Sequence, residues 1–186
     1  MSAQPVLRET EDKMKKSLEV VSQYFAQVRT GRANVGMVEH LRVDYYGTTT
    51  PLKQMANITI PDPRLILIHP WDAGAIKLIE KAILESDLGI SPVVDGKMVR
   101  LPIPALSRER REELAKIVKK QAEEGHVVLR SMRREANEKM KSLEKDKKVT
   151  EDESFKAQAE VQKLTDRYIQ LIDQAQAAKE KELTQG

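Results

Sequence analysis

The chain has 186 residues, of which 33% are charged and only 4% are aromatic, and it contains no cysteine. Disulfides and thiolate metal sites are therefore excluded, and a reducing compartment is favoured. No run of 18 apolar residues occurs, and the N-terminus has the pattern of neither a signal peptide nor a transit peptide. We therefore expect a cytoplasmic protein without a membrane span.

The net charge of +3 is unevenly distributed along the chain. Residues 31–105 hold 8 basic and 8 acidic side chains, whereas the remainder holds 24 basic and 21 acidic ones. All of the excess positive charge therefore lies outside the middle of the chain. A small net charge with a local basic patch indicates one surface that contacts a polyanion, not a protein that coats nucleic acid.

The first 30 residues predict one amphipathic helix. It runs from Pro5 to Arg29 with apolar residues at heptad spacing, and it ends at Thr30-Gly31. The apolar positions are Leu7, Met14, Leu18, Val21, Phe25 and Val28, with Glu11 as the polar exception.

The pattern then changes to short alternating runs that are typical of strands. These runs lie at 41–45, 55–60 and 65–69. Asp72 is suited to cap a helix from Ala73 to about Glu85, and Asp95-Gly96 predicts a hairpin turn. Prolines at 102 and 104 then exclude a helix. Residues 31–105 are thus predicted to form a small, mainly β unit with one helix.

Two long helices are predicted after this unit. Ser107 caps the first, which runs from Arg108 to about Asp146 and is about 58 Å long at about 1.5 Å per residue. Thr150 and Glu153 form a capping box that opens the last helix, which extends to about Leu183. The predicted seam of the first is Leu114, Val118, Gln121, Gly125, Val128, Met132, Ala136, Met140 and Leu143. That of the last is Ala157, Val161, Leu164, Tyr168, Leu171, Ala175 and Ala178.

Three apolar seams must be covered, so the three long helices should pack as a bundle. We predict an α+β protein with a three-helix bundle formed by residues 1–30 and 106–186 and an inserted β/α/β domain at 31–105. The two crossings, near 30–31 and 103–106, are predicted to act as a hinge. The candidate hinge residues are Thr30, Gly31, Ile103, Pro104 and Ala105.

One face of the second long helix is basic. At about 3.6 residues per turn it carries His126, Arg130, Arg133, Arg134, Asn137 and Lys141. The nearest acids on this face are Glu123 and Glu144, so the three arginines are expected to have no carboxylate beside them. We call Arg130, Arg133 and Arg134 the arginine stripe. Guanidinium groups on a rigid helix are well suited to phosphate; a solvated helix face is the alternative interpretation.

No catalytic site, metal site or cofactor site is expected. The histidines His40, His69 and His126 are far apart in sequence, and no phosphate-binding loop, nucleophile elbow or HExxH pattern occurs. Trp71 is predicted to pack inside the small unit and not to stack on bases, because single-strand readers usually carry several aromatic residues.

Several strings in this order resemble the ribosome recycling factor family, over essentially the whole chain. They are VRTGRA at 28–33, PLKQMANI at 51–58, PWD at 70–72, PIPAL at 102–106 with ERR at 109–111, and RSMRREAN at 130–137. The departures are small: Ser91 and Ser131 stand where asparagine is usual, Ser107 stands for threonine, and His126 is atypical. None of them removes an arginine.

The resemblance implies an L-shaped monomer of tRNA-like size, in which a three-helix bundle carries a mobile β/α/β domain. It implies binding to the post-termination ribosome, with the bundle against rRNA of the large subunit. Together with elongation factor G and its GTP hydrolysis, such a protein separates the subunits and itself hydrolyses nothing. On this basis the arginine stripe binds rRNA phosphates, and Arg29, Arg32 and Arg110 add contacts near the joint.

Two other interpretations of the sequence predict different behaviour. A helical adaptor or chaperone would have exposed apolar seams and no salt-sensitive affinity for RNA. An enzyme that uses the β unit as a substrate domain would need a deep polar pocket with perturbed titratable groups. Pelleting with ribosomes through a series of salt concentrations distinguishes the three.

Overall fold

The computed structural model describes residues 3–185. It contains two compact units, a helical unit of residues 3–29 and Arg108–Gln185 and a β unit of Thr30–Ser107. The elements are α1 (Gln4–Gln27), β1 (Arg42–Tyr45), β2 (Thr48–Pro51), β3 (Ala56–Asp62), β4 (Leu65–Pro70), α2 (Ile76–Glu85), β5 (Val93–Asp95), β6 (Met98–Pro102), α3 (Arg108–Lys145) and α4 (Glu151–Gln185). The predicted α+β class, a helical bundle with a small sheet unit, is confirmed.

In the helical unit α1, α3 and α4 pack against one another as a three-helix bundle. Its largest fully buried side chains are Met14, Leu129, Met140, Ile172 and Leu183. Burying an apolar side chain of this size contributes about 1.5–3 kcal/mol, so each of these residues stabilises the bundle substantially. No helix among residues 3–185 is long and apolar enough to cross a membrane.

The three helices approach closely at Gly125, in the middle of α3. A Cβ atom at this position would lie 3.0 Å from Cδ1 of Ile172 on α4 and 3.0 Å from Cγ2 of Val21 on α1. Glycine in a helix interior costs about 1 kcal/mol relative to alanine. We attribute its presence here to the space that the neighbouring helices occupy.

The seam predicted for α3 is wrong at two positions. Leu129 is fully buried, whereas Val128 is 42% exposed. Ala122, and not Gln121, is buried in the preceding turns. The buried residues of α3 include two successive steps of four residues, from Leu114 to Val118 and from Val118 to Ala122. A straight helix has about 3.6 residues per turn, so it drifts away from a strict heptad by about 20° in each repeat.

The same drift appears in α4, where Thr165 and Ile172 are buried and the predicted Leu164 and Leu171 are only half-buried. Ala178, assigned to that seam, is exposed. On α1 the polar residue in the seam is Thr10, whose hydroxyl donates to the carbonyl of Val6 at 2.7 Å. That bond satisfies the buried hydroxyl within its own helix.

The chain reverses direction between α3 and α4, and the predicted capping box is present at the start of α4. The N–H of Thr150 donates to Oε2 of Glu153 at 2.8 Å, and the N–H of Glu153 donates to Oγ1 of Thr150 at 3.2 Å. Lys147 is left-handed with φ 56°, and the following N–H returns to the carbonyl of Leu143 at 2.9 Å. These bonds satisfy backbone groups at both helix ends, so α3 and α4 form a tight antiparallel hairpin.

The β unit contains an antiparallel sheet with the strand order β3-β4-β6-β5 and a separate β1–β2 hairpin. Helix α2 packs Ile79 and Ile83 into a core that also contains Ile66, Ile68 and Leu101. Burial alternates along β4 and β6, because every second side chain of a strand points to the face that α2 covers.

Local signals in the β unit are confirmed. The N–H of Gly74 donates to Oδ1 of Asp72 at 2.9 Å, so Asp72 caps the turn that leads into α2. Asp95 pairs with Met98 around a two-residue turn, in which Gly96 has φ 60° as this turn requires. Strand β3 extends further than predicted, to Asp62, and has a register shift after Thr59.

Candidate nucleic-acid interface

The arginine stripe lies on the surface of α3, and one of its members, Arg133, contacts α4. Arg134 is exposed, the side chain of Arg130 is 48% exposed and Arg133 is half-buried. All three are carried by a continuous 38-residue helix, so their positions are fixed by a rigid element and not by a loop. The backbone that carries the three side chains therefore loses little conformational entropy when the surface binds a rigid polyanion.

Arg133 is held by a neutral group from the neighbouring helix. Its Nη1 donates to Oε1 of Gln162 on α4 at 3.1 Å. The amide nitrogen of Gln162 in turn donates to Oδ1 of Asp166 at 2.8 Å. Gln162 therefore orients the guanidinium of Arg133, and no carboxylate in direct contact neutralises its charge.

The expectation that all three arginines stand without a carboxylate is wrong for Arg130. Its Nη1 lies 3.5 Å from Oε1 of Glu123, two helical turns earlier on α3. An exposed pair of this length contributes about 0–1 kcal/mol, so a phosphate can replace it at little cost. Among the described residues Arg134 has no hydrogen-bond or ion-pair partner.

His126 lies between two carboxylates beside the stripe. Its Nδ1 is 3.2 Å from Glu123, and its Nε2 is 2.8 Å from Asp173 on α4, although that second approach is not aligned for a hydrogen bond. The side chain is only 12% exposed. The sequence places His126 on the basic face, but its side chain packs against α4 and is not accessible to a ligand.

The flank of α3 that faces α1 carries a closed ring of four charges. Lys13 lies 3.0 Å from Glu9 and 2.9 Å from Glu135, and Lys139 lies 2.9 Å from Glu9 and 3.3 Å from Glu135. Hydrogen bonds from the two lysines lower the pKa of both carboxyl groups. This flank is internally neutralised, so it does not extend the cationic surface.

The candidate arginines near the crossings belong to different units. Arg29 and Arg110 lie in the helical unit and Arg32 lies in the β unit. Arg110 donates to Glu113 on its own helix at 2.9 Å. It is 20 residues from Arg130, or about 30 Å along α3. The structure therefore does not bring Arg110 together with the arginine stripe.

The prediction for Trp71 is wrong, since its side chain is 71% exposed. Tyr46 is exposed nearby in the β unit, edge-on to Tyr45 with ring centroids 4.8 Å apart. The hydroxyl of Tyr45 donates to Oδ2 of Asp72 at 2.6 Å, which raises the pKa of Tyr45 and lowers that of Asp72. The sequence could not show which face of the strand end Trp71 occupies.

No group of three or more histidine, aspartate or glutamate side chains within residues 3–185 has a geometry that could hold a metal ion. The described surface of α3 instead carries three arginines. Arg133 is hydrogen-bonded to a glutamine, Arg130 lies 3.5 Å from a glutamate, and Arg134 has no hydrogen-bond or ion-pair partner among the described residues. The chemistry that such a surface supports is binding to phosphate groups.

Comparisons with known proteins identify the family of the chain. The family model for ribosome recycling factor matches residues 21–184. A protein named ribosome-recycling factor from Carboxydothermus hydrogenoformans is 51% identical over 180 residues, which is 97% of each chain. Its namesake from Nitratidesulfovibrio vulgaris is 49% identical over 183 residues, which is 98% of each chain.

Solved structures extend this agreement to the fold. A structure described as the solution structure of the ribosome recycling factor has a TM-score of 0.81 at 39% identity, covering 100% of this chain and 99% of that one. Another, of models for T. thermophilus ribosome recycling factor and E. coli elongation factor G on the E. coli post-termination complex, has a TM-score of 0.66 at 46% identity, covering 98% and 99%. The chain therefore belongs to the ribosome recycling factor family.

Proposed function

We propose that this family member binds the post-termination ribosome through the arginine stripe and, with elongation factor G and GTP, separates it into subunits. mRNA and tRNA are released in the process for a new round of translation. The protein contributes binding and leverage and catalyses no reaction of its own. It acts as a monomer in the cytoplasm.

The observation that carries this proposal is the state of the three arginines. Arg133 is hydrogen-bonded to a neutral amide, Arg130 is weakly paired with a carboxylate, and Arg134 has no hydrogen-bond or ion-pair partner among residues 3–185. All three belong to a single rigid helix. Such side chains gain affinity from phosphate without first breaking a strong internal pair. We assign the contact to rRNA of the large subunit. In support, the T. thermophilus relative described above is placed on a post-termination complex with elongation factor G.

The two crossings suggest how leverage is transmitted. Gly31 has φ 73°, and a Cβ there would lie 3.2 Å from Cγ of Leu106, so the two crossings run side by side. Ile103 is buried, and its N–H donates to the carbonyl of Arg64 at 2.8 Å. We propose that Ile103 moves with the β unit and that the rotation occurs at Thr30, Gly31, Pro104 and Ala105.

Arg133→Ala tests the assignment of the stripe. Binding to isolated large subunits is measured by pelleting through a series of salt concentrations, with Arg108→Ala as the matched control, since Arg108 is an exposed arginine of the same helix. We expect Arg133→Ala to weaken binding and to lower the salt slope by about one, whereas Arg108→Ala changes neither. Unchanged binding of Arg133→Ala would refute the assignment.

The same assay separates the competing functions. An adaptor that grips a client protein through apolar seams would pellet with ribosomes independently of salt. An enzyme would lose turnover, and not ribosome affinity, when residues of the β unit are changed. Far-UV circular dichroism of each variant verifies that the bundle remains folded.

A further inference from the structure

Helix α4 contributes two polar residues that none of the expectations for the interface included. Gln162 accepts a hydrogen bond from Nη1 of Arg133 at 3.1 Å, and it donates to Asp166 one turn further along at 2.8 Å. The three side chains form a chain of hydrogen bonds from α3 to α4. Each link is at the surface of the bundle, where the arginine stripe lies.

The direction of this chain is fixed by chemistry. Ionised aspartate only accepts hydrogen bonds, so Asp166 must face the NH2 group of Gln162. The carbonyl oxygen of the same amide is then turned toward Arg133, whose guanidinium only donates. Asp166 thus selects the orientation in which the amide holds the arginine, without itself forming an ion pair with that arginine.

The type of residue that accepts the hydrogen bond from Arg133 also affects phosphate binding. A carboxylate at 162 would hold the guanidinium at least as firmly, but it would neutralise the charge and compete with phosphate. A neutral amide restricts the rotamers of a long side chain and leaves the full charge for a ligand. The side chain of Arg133 then loses part of its conformational entropy when the protein folds and not when it binds RNA.

We propose that Gln162 is a positioning residue for Arg133: oriented by Asp166, it holds the guanidinium toward the rRNA phosphate without neutralising it. This inference rests on the proposed function of the arginine stripe. It adds a part of α4 to the interface and makes affinity depend on a residue that need not touch RNA.

The test compares Gln162→Glu and Gln162→Ala in the parent and in the Arg133→Ala background, by pelleting with large subunits through a salt series. Gln162→Glu should weaken binding about tenfold and lower the salt slope by about one, as Arg133→Ala does. Gln162→Ala should weaken binding about threefold and leave the slope unchanged, because the charge remains and only its placement is lost. In the Arg133→Ala background both changes should have no further effect.

The matched control is Gln174→Glu, which introduces the same charge at an exposed position of α4, 12 residues or about 18 Å away. It should bind as the parent does. If Gln162→Glu weakens binding equally with and without Arg133, or if Gln174→Glu has the same effect, the charge acts on the whole surface and the proposal is overturned. Parent-like binding of Gln162→Glu, while Arg133→Ala is weakened, overturns the positioning role and leaves the proposed function intact. Parent-like binding of Arg133→Ala overturns both.

Discussion

The position of the apolar seam on α3 is tested by comparing two adjacent residues. Leu129 is fully buried, whereas Val128 is 42% exposed. Leu129→Ala removes buried methyl groups where α3 packs in the bundle and should cost about 2–5 kcal/mol of unfolding free energy. Val128→Ala should change the stability by less than about 0.5 kcal/mol, because the small loss of burial is offset by the better helix propensity of alanine.

Urea unfolding followed by far-UV circular dichroism measures the helical unit, which holds most of the helical residues. A loss of about 3 kcal/mol with an m-value of about 2 kcal/mol/M lowers the midpoint by about 1.5 M. For Leu129→Ala we expect this shift in the dichroism. If Val128→Ala lowers the urea midpoint strongly and Leu129→Ala does not, the observed seam is refuted. The strict heptad with Val128 in the core would then be correct.

Three further changes probe how the helical unit is held together. Gly125→Val should lower the stability by about 2 kcal/mol or more, because its side chain meets two neighbouring helices. Thr150→Ala should cost about 1 kcal/mol through loss of the capping box. The pKa values of Glu9 and Glu135 are lowered in the folded state from the ordinary 4.5, so their contribution to stability is present above pH 4.5 and is lost as the pH falls below it. Lys13→Met should flatten this acid dependence. Thermal unfolding measured across pH tests all three.

For each of these three variants, one result would contradict the prediction. Gly125→Val with parent stability would show that the helices are not in close contact at that point. Thr150→Ala without effect would mean that the hairpin end is held by Val149 packing and the left-handed turn alone. An unchanged acid profile for Lys13→Met would show that the ring of four charges contributes nothing measurable, as many surface pairs do.

The features predicted correctly from the sequence are those fixed by chemistry within a few residues. Asp72, the pair Thr150 and Glu153, and the turn at Asp95-Gly96 each form their bonds with neighbours in the chain. Such local bonds depend on residue type and short spacing, so a pattern in the sequence identifies them.

The features that were missed depend on the register between helices. Heptad spacing favours Val128 over Leu129, but a heptad drifts around a straight helix by about 20° in each repeat. Gln162 and Asp173 reach the face of α3 from α4 across a tertiary contact, and no spacing within either helix indicates their partners. The exposure of Trp71 likewise follows from how the strand end is covered, which its neighbours in sequence do not determine.

The central claim is that the arginine stripe is the surface by which this protein binds rRNA. The most direct test is the salt dependence of binding to large subunits for a variant in which Arg130, Arg133 and Arg134 are all glutamine, with Lys119 and Lys120 changed to glutamine as the control. We predict that the triple variant keeps its thermal stability and that its salt slope falls by about two to three, while the control falls by less than about one. A triple variant with the parent's affinity and slope would contradict the account.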